Sequence, residues 1–343
     1  MIGLKIQKNR ANDVRKILLK NSLIDLDAKI KREDDYVIIP LTEKPDKEIM
    51  DIIRQDVEII ETTFQMQKRG PRSLKDYLKG KVEDSKIDEI RGSFDIIGDI
   101  VILEIPEDIE EFKNLIGEAA LNFTKRKAIF RKKSEIKGII RTRELEYLAG
   151  DDISETIHQE FGCKLMLDVK KVYFSPRLAT ERKRVADNVK DGELIVDMFA
   201  GVAPFPVLIA RNHDVKIYSI DINPDAYYYA KKNVKLNKVK DKVIPILGDV
   251  REVLKNKEIK ADRIIMNLPG MAYEFLDSAM YSIKDGGVIH YYEFAESFEK
   301  PIERLKKAAY PRKIQVLDKR KVRSRSPGKW HMGIDVKVIQ VLD

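Results

Sequence analysis

Over the first 65 residues the apolar positions change period several times, and each change marks an element. Leu4 and Ile6 alternate with polar neighbours as in a strand, whereas Val14, Ile17 and Leu18 recur at helical spacing. Residues 29–31 and 36–41 flank the acidic turn Glu33-Asp34-Asp35 as a hairpin. A second helix is expected from Pro45 through Ile49, Ile52 and Ile53, and residues 57–62 give a last strand. The order β-α-β-β-α-β is that of a small ferredoxin-like module with split βαβ topology. We assign residues 1–65 to this α+β domain and residues 66–75, polar and broken by Gly70-Pro71, to a linker.

Residues 76–177 are less regular and read as an α+β middle domain. Residues 96–105 suggest two strands around Gly98-Asp99, and 108–123 a helix with Ile109, Phe112, Leu115, Ile116 and Ala119 on one side. Further strands are expected at 128–131, 164–167 and 172–174. From 178 to 343 the pattern becomes strand, turn, helix, with strands at 194–198, 216–220, 243–247, 263–266 and 287–293. That alternation is the mark of an α/β, doubly wound parallel sheet. Two more strands, near 313–317 and 332–341, follow without a clear helix between them, so an antiparallel hairpin is expected at the end of the sheet.

Composition then removes several classes of function. Cys163 is the sole cysteine and the four histidines are scattered, which excludes an intramolecular disulfide and argues against a metal centre. No stretch approaches the roughly 18 consecutive apolar residues that span a bilayer, and a soluble, cytoplasmic, monomeric protein is expected. The net charge of +8 is unevenly placed. Residues 125–143 carry net +8 and residues 312–331 net +7, so the rest of the chain is net acidic. A single basic run is usually a solvated face, but two in an otherwise acidic chain suit the backbone of a nucleic acid.

The candidate chemistry lies at strand ends. Asp197 and Gly201 frame the turn from the first strand of the parallel sheet towards a helix near Pro204. Glycine there admits a cofactor close to the backbone, and a carboxylate can orient a cationic amino-acid end. The loop lacks the three-glycine spacing that approaches a pyrophosphate, which argues against NAD or FAD. Asp221 ends the second strand, where a carboxylate accepts from ribose hydroxyls, and Asp249 follows the third, near an adenine amine. Singly each reads as a helix N-cap; in register they point to S-adenosylmethionine (AdoMet), with Phe199, Ile222, Val250 and Asn267 completing its contacts. The fold class is therefore a class I, Rossmann-like methyltransferase domain. Asn267-Leu268-Pro269 follows the fourth strand, where this fold presents its reacting group. Enzymes that methylate exocyclic amines commonly carry an aromatic after such a motif; Gly270 stands there instead, which suggests a ring atom as target.

With Tyr173-Phe174-Ser175-Pro176-Arg177-Leu178 and the following Glu181, these residues resemble the archaeal and eukaryotic tRNA (guanine37-N1)-methyltransferase family. Residues 130–135, 143–150, 249–252 and 286–292 extend the resemblance over nearly the whole chain. It departs at Ala203, where the family usually has glycine and where a positive φ would strain any other residue. The resemblance implies that Glu181 removes the N1 proton, Arg141 hydrogen-bonds O6 and Asn267 orients the base, with Tyr173 and Pro269 shaping the pocket. It further implies that Arg177, with Arg131, Lys133, Arg143, Arg323 and Lys329 from the basic runs, holds RNA around a flipped nucleotide. The N-terminal module would test the outer corner of the tRNA. Plainer readings make Arg141 and Arg143 simple phosphate grips and Glu181 half of a surface ion pair with Arg182 or Lys183. The alternatives in function are a wyosine-pathway enzyme, methylating the tricyclic base or transferring an aminocarboxypropyl group, and a non-catalytic RNA-binding protein.

Overall fold

The computed structural model describes residues 1–53, 57–67, 71, 73–90, 94–134 and 144–340. Two units divide the chain, Met1–Arg72 and Ser73–Asp343.

In the first unit the elements are β1 (Ile2–Gln7), α1 (Ala11–Lys20), β2 (Lys31–Arg32), β3 (Tyr36–Pro40), α2 (Lys47–Ile53) and β4 (Val57–Glu61). The sheet runs β2-β3-β1-β4 with every pairing antiparallel, the order a split βαβ module requires. Two periodicities meet in its core. Leu4 and Ile6 of β1 and Ile39 of β3 bury one face of the sheet against Val14 and Leu18 of α1 and Ile53 of α2.

The second unit begins with α3 (Leu74–Leu78), α4 (Asp84–Glu89), β5 (Asp95–Ile97), β6 (Ile100–Leu103), α5 (Lys113–Thr124), β7 (Ala128–Lys132) and β8 (Leu145–Gly150). These strands form a four-stranded sheet in order β5-β6-β7-β8, with α5 as the crossover between parallel β6 and β7. The helix expected over 108–123 is regular only from Lys113, because Ile109 leaves helical geometry at φ −126° and ψ 16°. A hairpin of β9 (Glu155–Glu160) and β10 (Cys163–Asp168) follows. Residues 172–174, expected as a strand, instead form a turn and loop beginning at the Val172 N–H bond to the Asp168 carbonyl. That irregularity frees Tyr173 and Phe174 to line a cavity.

Next come α6 (Ala179–Asp187), β11 (Leu194–Asp197), α7 (Pro204–Asn212), β12 (Lys216–Asp221), α8 (Pro224–Leu236), β13 (Val243–Leu247), α9 (Val250–Asn256) and β14 (Ala261–Met266). The chain closes with α10 (Leu276–Ser282), β15 (Ile283–Ala295), α11 (Glu299–Ala309), β16 (Lys313–Ser326) and β17 (Lys329–Ile339). The seven-stranded order is β13-β12-β11-β14-β15-β17-β16, parallel except that β17 runs antiparallel to both neighbours. Apolar residues from both sheet faces build two cores, one including Val196, Ile264 and Tyr291, the other Ile195, Ile265 and Tyr292. The β9–β10 hairpin is fastened to α8 by asparagines rather than by another strand. Asn233 and Asn237 accept from the N–H groups of Met166 and Lys164 at 2.7 and 2.9 Å and donate back to the same residues' carbonyls. A further core of Phe130, Leu167 and Val172 with Val202, Ala226 and Tyr229 joins the four-stranded sheet to the larger one.

Candidate active site

Strand order reverses between β11 and β14, and an open α/β sheet presents ligands above the carboxyl ends at such a switch point. A cavity of about 350 Å3 opens there. Its wall comprises the β11–α7 loop, Asp221 and Ile222 after β12, Gly248 to Val250 after β13, and Asn267 and Leu268 after β14, closed by Tyr173 and Phe174. Phe199, Gly201, Asp221, Ile222, Asp249, Val250 and Asn267 thus share one wall.

The loop geometry is set by backbone hydrogen bonds to carboxylates. Gly201, at φ +56°, donates its N–H to Asp221 Oδ2 at 2.6 Å, while Asn223 N–H donates to Oδ1 at 2.9 Å. One carboxylate so ties the first loop to the second at the cavity wall. Two residues on, Ala203 adopts the left-handed conformation, φ 65° and ψ 41°, directly before α7. Asp249 caps α9 through the Arg251 N–H at 2.9 Å and takes the Arg251 guanidinium, which holds its carboxyl below the usual range. Arg251 in turn lies over the Phe275 ring, which packs edge-on against Phe199. Asp197 is 1% exposed, stands outside the cavity lining and, among the described residues, accepts only the Phe199 N–H, at 3.3 Å. Burial pushes its carboxyl up to about 8, with Asp221 adding to the rise.

Asn267 is half-buried, and its side chain makes no hydrogen bond among the described residues. Pro269 lines a separate cavity of about 510 Å3 together with Tyr273, Lys300, Arg304 and Lys329. Tyr173 receives a hydrogen bond from Arg323 on β16, Nη2 to Oη at 3.4 Å. Arg182 lines the AdoMet-type cavity although it is only 2% exposed; Glu160 takes it bidentately at 2.6 Å and Phe174 lies beneath it.

Glu181 is buried and is not part of the cavity lining. Neither Arg182 nor Lys183 is its partner, since these pair with Glu160 and Asp187. Instead Glu181 accepts from Arg184 on its own helix, from Arg320 on β16 and from the Tyr292 hydroxyl on β15 at 2.5 Å. Burial alone would raise its pKa, but these donors outweigh it and bring the carboxyl down to about 2. The network continues through Asp335, which binds Arg184 and Arg320 and takes His290 Nδ1 at 2.8 Å. Burial lowers the His290 pKa, so a neutral ring donates to Asp335 and accepts from Arg263 at Nε2.

Two of the expected RNA contacts are held in ion pairs. Arg131 is buried between Glu110 and Glu146, so its charge is spent inside the domain and it is no phosphate grip. Arg177 pairs with Asp95 at 2.5 Å, away from the cavity lining. Arg141 and Arg143 lie outside the described residues. Lys133 and Lys329 are exposed, as a phosphate contact needs. Sequence reading passed over Arg184, Arg320 and Asp335, and took Arg182 only as a surface partner for Glu181. The usable signal was Gly333 in mid-strand, an interruption that marks the close approach of another group. Among the described residues no group of His, Cys, Asp or Glu could hold a metal ion.

Three family models match consecutive parts of the chain: the tRNA methyltransferase 5 N-terminal domain at residues 3–49, the TYW2 N-terminal domain at 74–153 and the TRM5/TYW2 methyltransferase domain at 156–317. The tRNA (guanine(37)-N(1))-methyltransferase Trm5b of Methanocaldococcus jannaschii is 41% identical over 98% of both chains. The chain belongs to the TRM5/TYW2 methyltransferase family. Trm5b from Pyrococcus abyssi, known as a crystal structure, is similar in fold at a TM-score of 0.79 with 41% identity over 99% of each chain. The aTrm5 chain in its complex with tRNALeu matches at 0.75 with 40% identity over 99% of this chain. As a member of this family the chain uses AdoMet as its methyl donor.

Proposed function

We propose that the chain transfers a methyl group from AdoMet to N1 of guanosine 37, the tRNA nucleotide 3′ of the anticodon. The supporting observation is its likeness to Trm5b relatives over their full length, joined to a cavity whose wall carries Asp221 and Asp249 at two strand ends and, at a third, Asn267, which is unpartnered among the described residues. AdoMet fits these donors: Asp221 would take the ribose hydroxyls, Asp249 would lie near the adenine amine, and Asp197 would lie near the amino-acid end. When bound, it supplies a sulfonium methyl for direct displacement by a nucleophilic nitrogen.

The chain's own residues must then expose N1 and take its proton. A neutral guanine holds a proton on N1 and gathers charge on O6 as that proton leaves, so a base and a hydrogen-bond donor are needed. In our reading Glu181 is the base, Asn267 orients the ring, Tyr173 and Pro269 flank it, and Arg141 faces O6. Lys133, Arg323 and Lys329, with Arg143 and Arg177, hold the surrounding backbone. The enzyme acts on tRNA as a monomer in the cytoplasm; among the described residues no helix is long and apolar enough to cross a membrane. Glu181→Gln is expected to slow single-turnover methyl transfer by about 100-fold or more with little change in tRNA affinity. An unchanged rate would remove Glu181 from the mechanism.

One observation favours a second reading. Residues 74–153 match the TYW2 N-terminal domain, so a wyosine-pathway reaction on the same scaffold is the competing activity. Mass spectrometry of the product nucleoside separates N1-methylguanosine from a modified tricyclic base.

A further inference from the structure

The charge network behind α6 is larger than the anchoring of one carboxylate requires, and the sheet is shaped to admit one member of it. Arg320 sits on β16 opposite Gly333 of β17. A methyl group added at position 333 would stand 3.0 Å from Arg320 Nη2 and 3.1 Å from Cζ. The backbone there is ordinary strand, so what glycine contributes is the space in which the guanidinium lies. From that seat Arg320 donates to both oxygens of Glu181, Nε to Oε2 at 3.1 Å and Nη2 to Oε1, while Nη1 is held by Asp318 at 2.8 Å.

We propose that Arg320, seated on Gly333, is a positioning residue for methyl transfer, fixing the orientation of the Glu181 carboxylate and setting the pH at which it takes up a proton. The inference rests on the reading of Glu181 as the base. Charged and titratable groups face Glu181 from each neighbouring element: Arg184 from α6, Tyr292 from β15, Arg320 and Asp318 from β16, and Asp335, backed by His290, from β17. Of these only Arg184 and Arg320 are cations in contact with it, and Asp335 binds both, so the two guanidiniums and two carboxylates form a closed set of fixed geometry. A carboxylate with donors on both oxygens has one orientation and stays ionised across the working range, at the expense of basicity. Arg320 lies within the second basic run, and its near neighbour Arg323 reaches the pocket residue Tyr173. The same edge strand therefore touches both the base and the pocket wall.

The test is the pH dependence of single-turnover methyl transfer by the full chain to a tRNA transcript carrying G at position 37, from pH 3.5 to 9. In the wild type Glu181 stays ionised through this range and adds no acid limb of its own, whereas Arg320→Gln and Gly333→Ala should each bring such a limb up into it, with Arg320→Lys in between. Gly333→Ala removes no charged group and only unseats the guanidinium, so a limb there reports position. A merely structural loss lowers the active fraction, seen as reduced amplitude and an earlier thermal transition, and brings in no acid limb. The absence of such a limb from both Arg320→Gln and Gly333→Ala, with Glu181→Gln slow, overturns the inference. If Glu181→Gln is as fast as the wild type, the reading of Glu181 as base fails instead.

Discussion

Ala203 concentrates backbone strain in the loop that borders the switch-point cavity. Its φ of 65° places a side chain in the left-handed region, which costs a non-glycine residue roughly 1–2 kcal/mol. Glycine would remove that strain while adding roughly 0.5–1 kcal/mol of unfolded-state freedom. Ala203→Gly is therefore expected to leave the chain as stable or up to about 1 kcal/mol more stable, read from the denaturation midpoint; a clear loss would mean that the buried methyl contributes packing that outweighs the strain. Two carboxylates give opposite dependences on pH. Asp197, raised to about 8, binds a proton in the folded chain that the unfolded chain has lost near pH 4, so its contribution is full below about pH 4 and fades as pH rises to 8. Glu181, brought to about 2, contributes above its ordinary pKa, and that contribution is lost as pH falls from about 4.5 towards 2. An ammonium group beside Asp197 would favour the ionised form, so AdoMet binding at pH 7 should release protons. Calorimetric titrations in two buffers of unlike ionisation heat check this, and equal heats would contradict it.

Among the elements, α6 carries both Glu181 and Arg182 and depends on side-chain pairing for its place. Its Arg182 is joined to Glu160 of β9 with both groups nearly dry. Breaking such a pair from one side strands a buried charge at a cost of about 3–5 kcal/mol. Glu160→Ala is expected to lower the unfolding midpoint by an amount in that range; a loss below about 1 kcal/mol would show that water or another carboxylate reaches Arg182. The elements legible in the sequence were those whose period is undisturbed, such as Leu4 and Ile6 in β1 and Ile195 and Val196 in β11. β16 was read as far too short, since Lys319 to Ser326 alternate without an apolar face and three register shifts interrupt the pairing. The loop at 172–174 was read as a strand because Val172, Tyr173 and Phe174 all favour one, yet Val172 closes a turn onto the Asp168 carbonyl and Tyr173 and Phe174 line the cavity instead. The carboxylates at strand ends were legible because their spacing follows the fold. The distant partners of Glu181 were not, because Tyr292 and Arg320 reach it from strands more than 110 residues away.

For the whole molecule, the uneven charge and the cavity at the switch point make one account. The second basic run lies on β16 and β17, the antiparallel edge of the sheet that also holds the switch-point cavity. Phosphate contacts there should make tRNA affinity fall steeply with salt while AdoMet affinity changes little. The most direct test of the central claim is methyl transfer from labelled AdoMet to paired tRNA transcripts that differ only at position 37, with the product nucleosides identified by mass spectrometry. The account predicts N1-methylguanosine from the transcript with G at that position and no product from the one with A. Equal methylation of the two, or a product other than N1-methylguanosine, would contradict it.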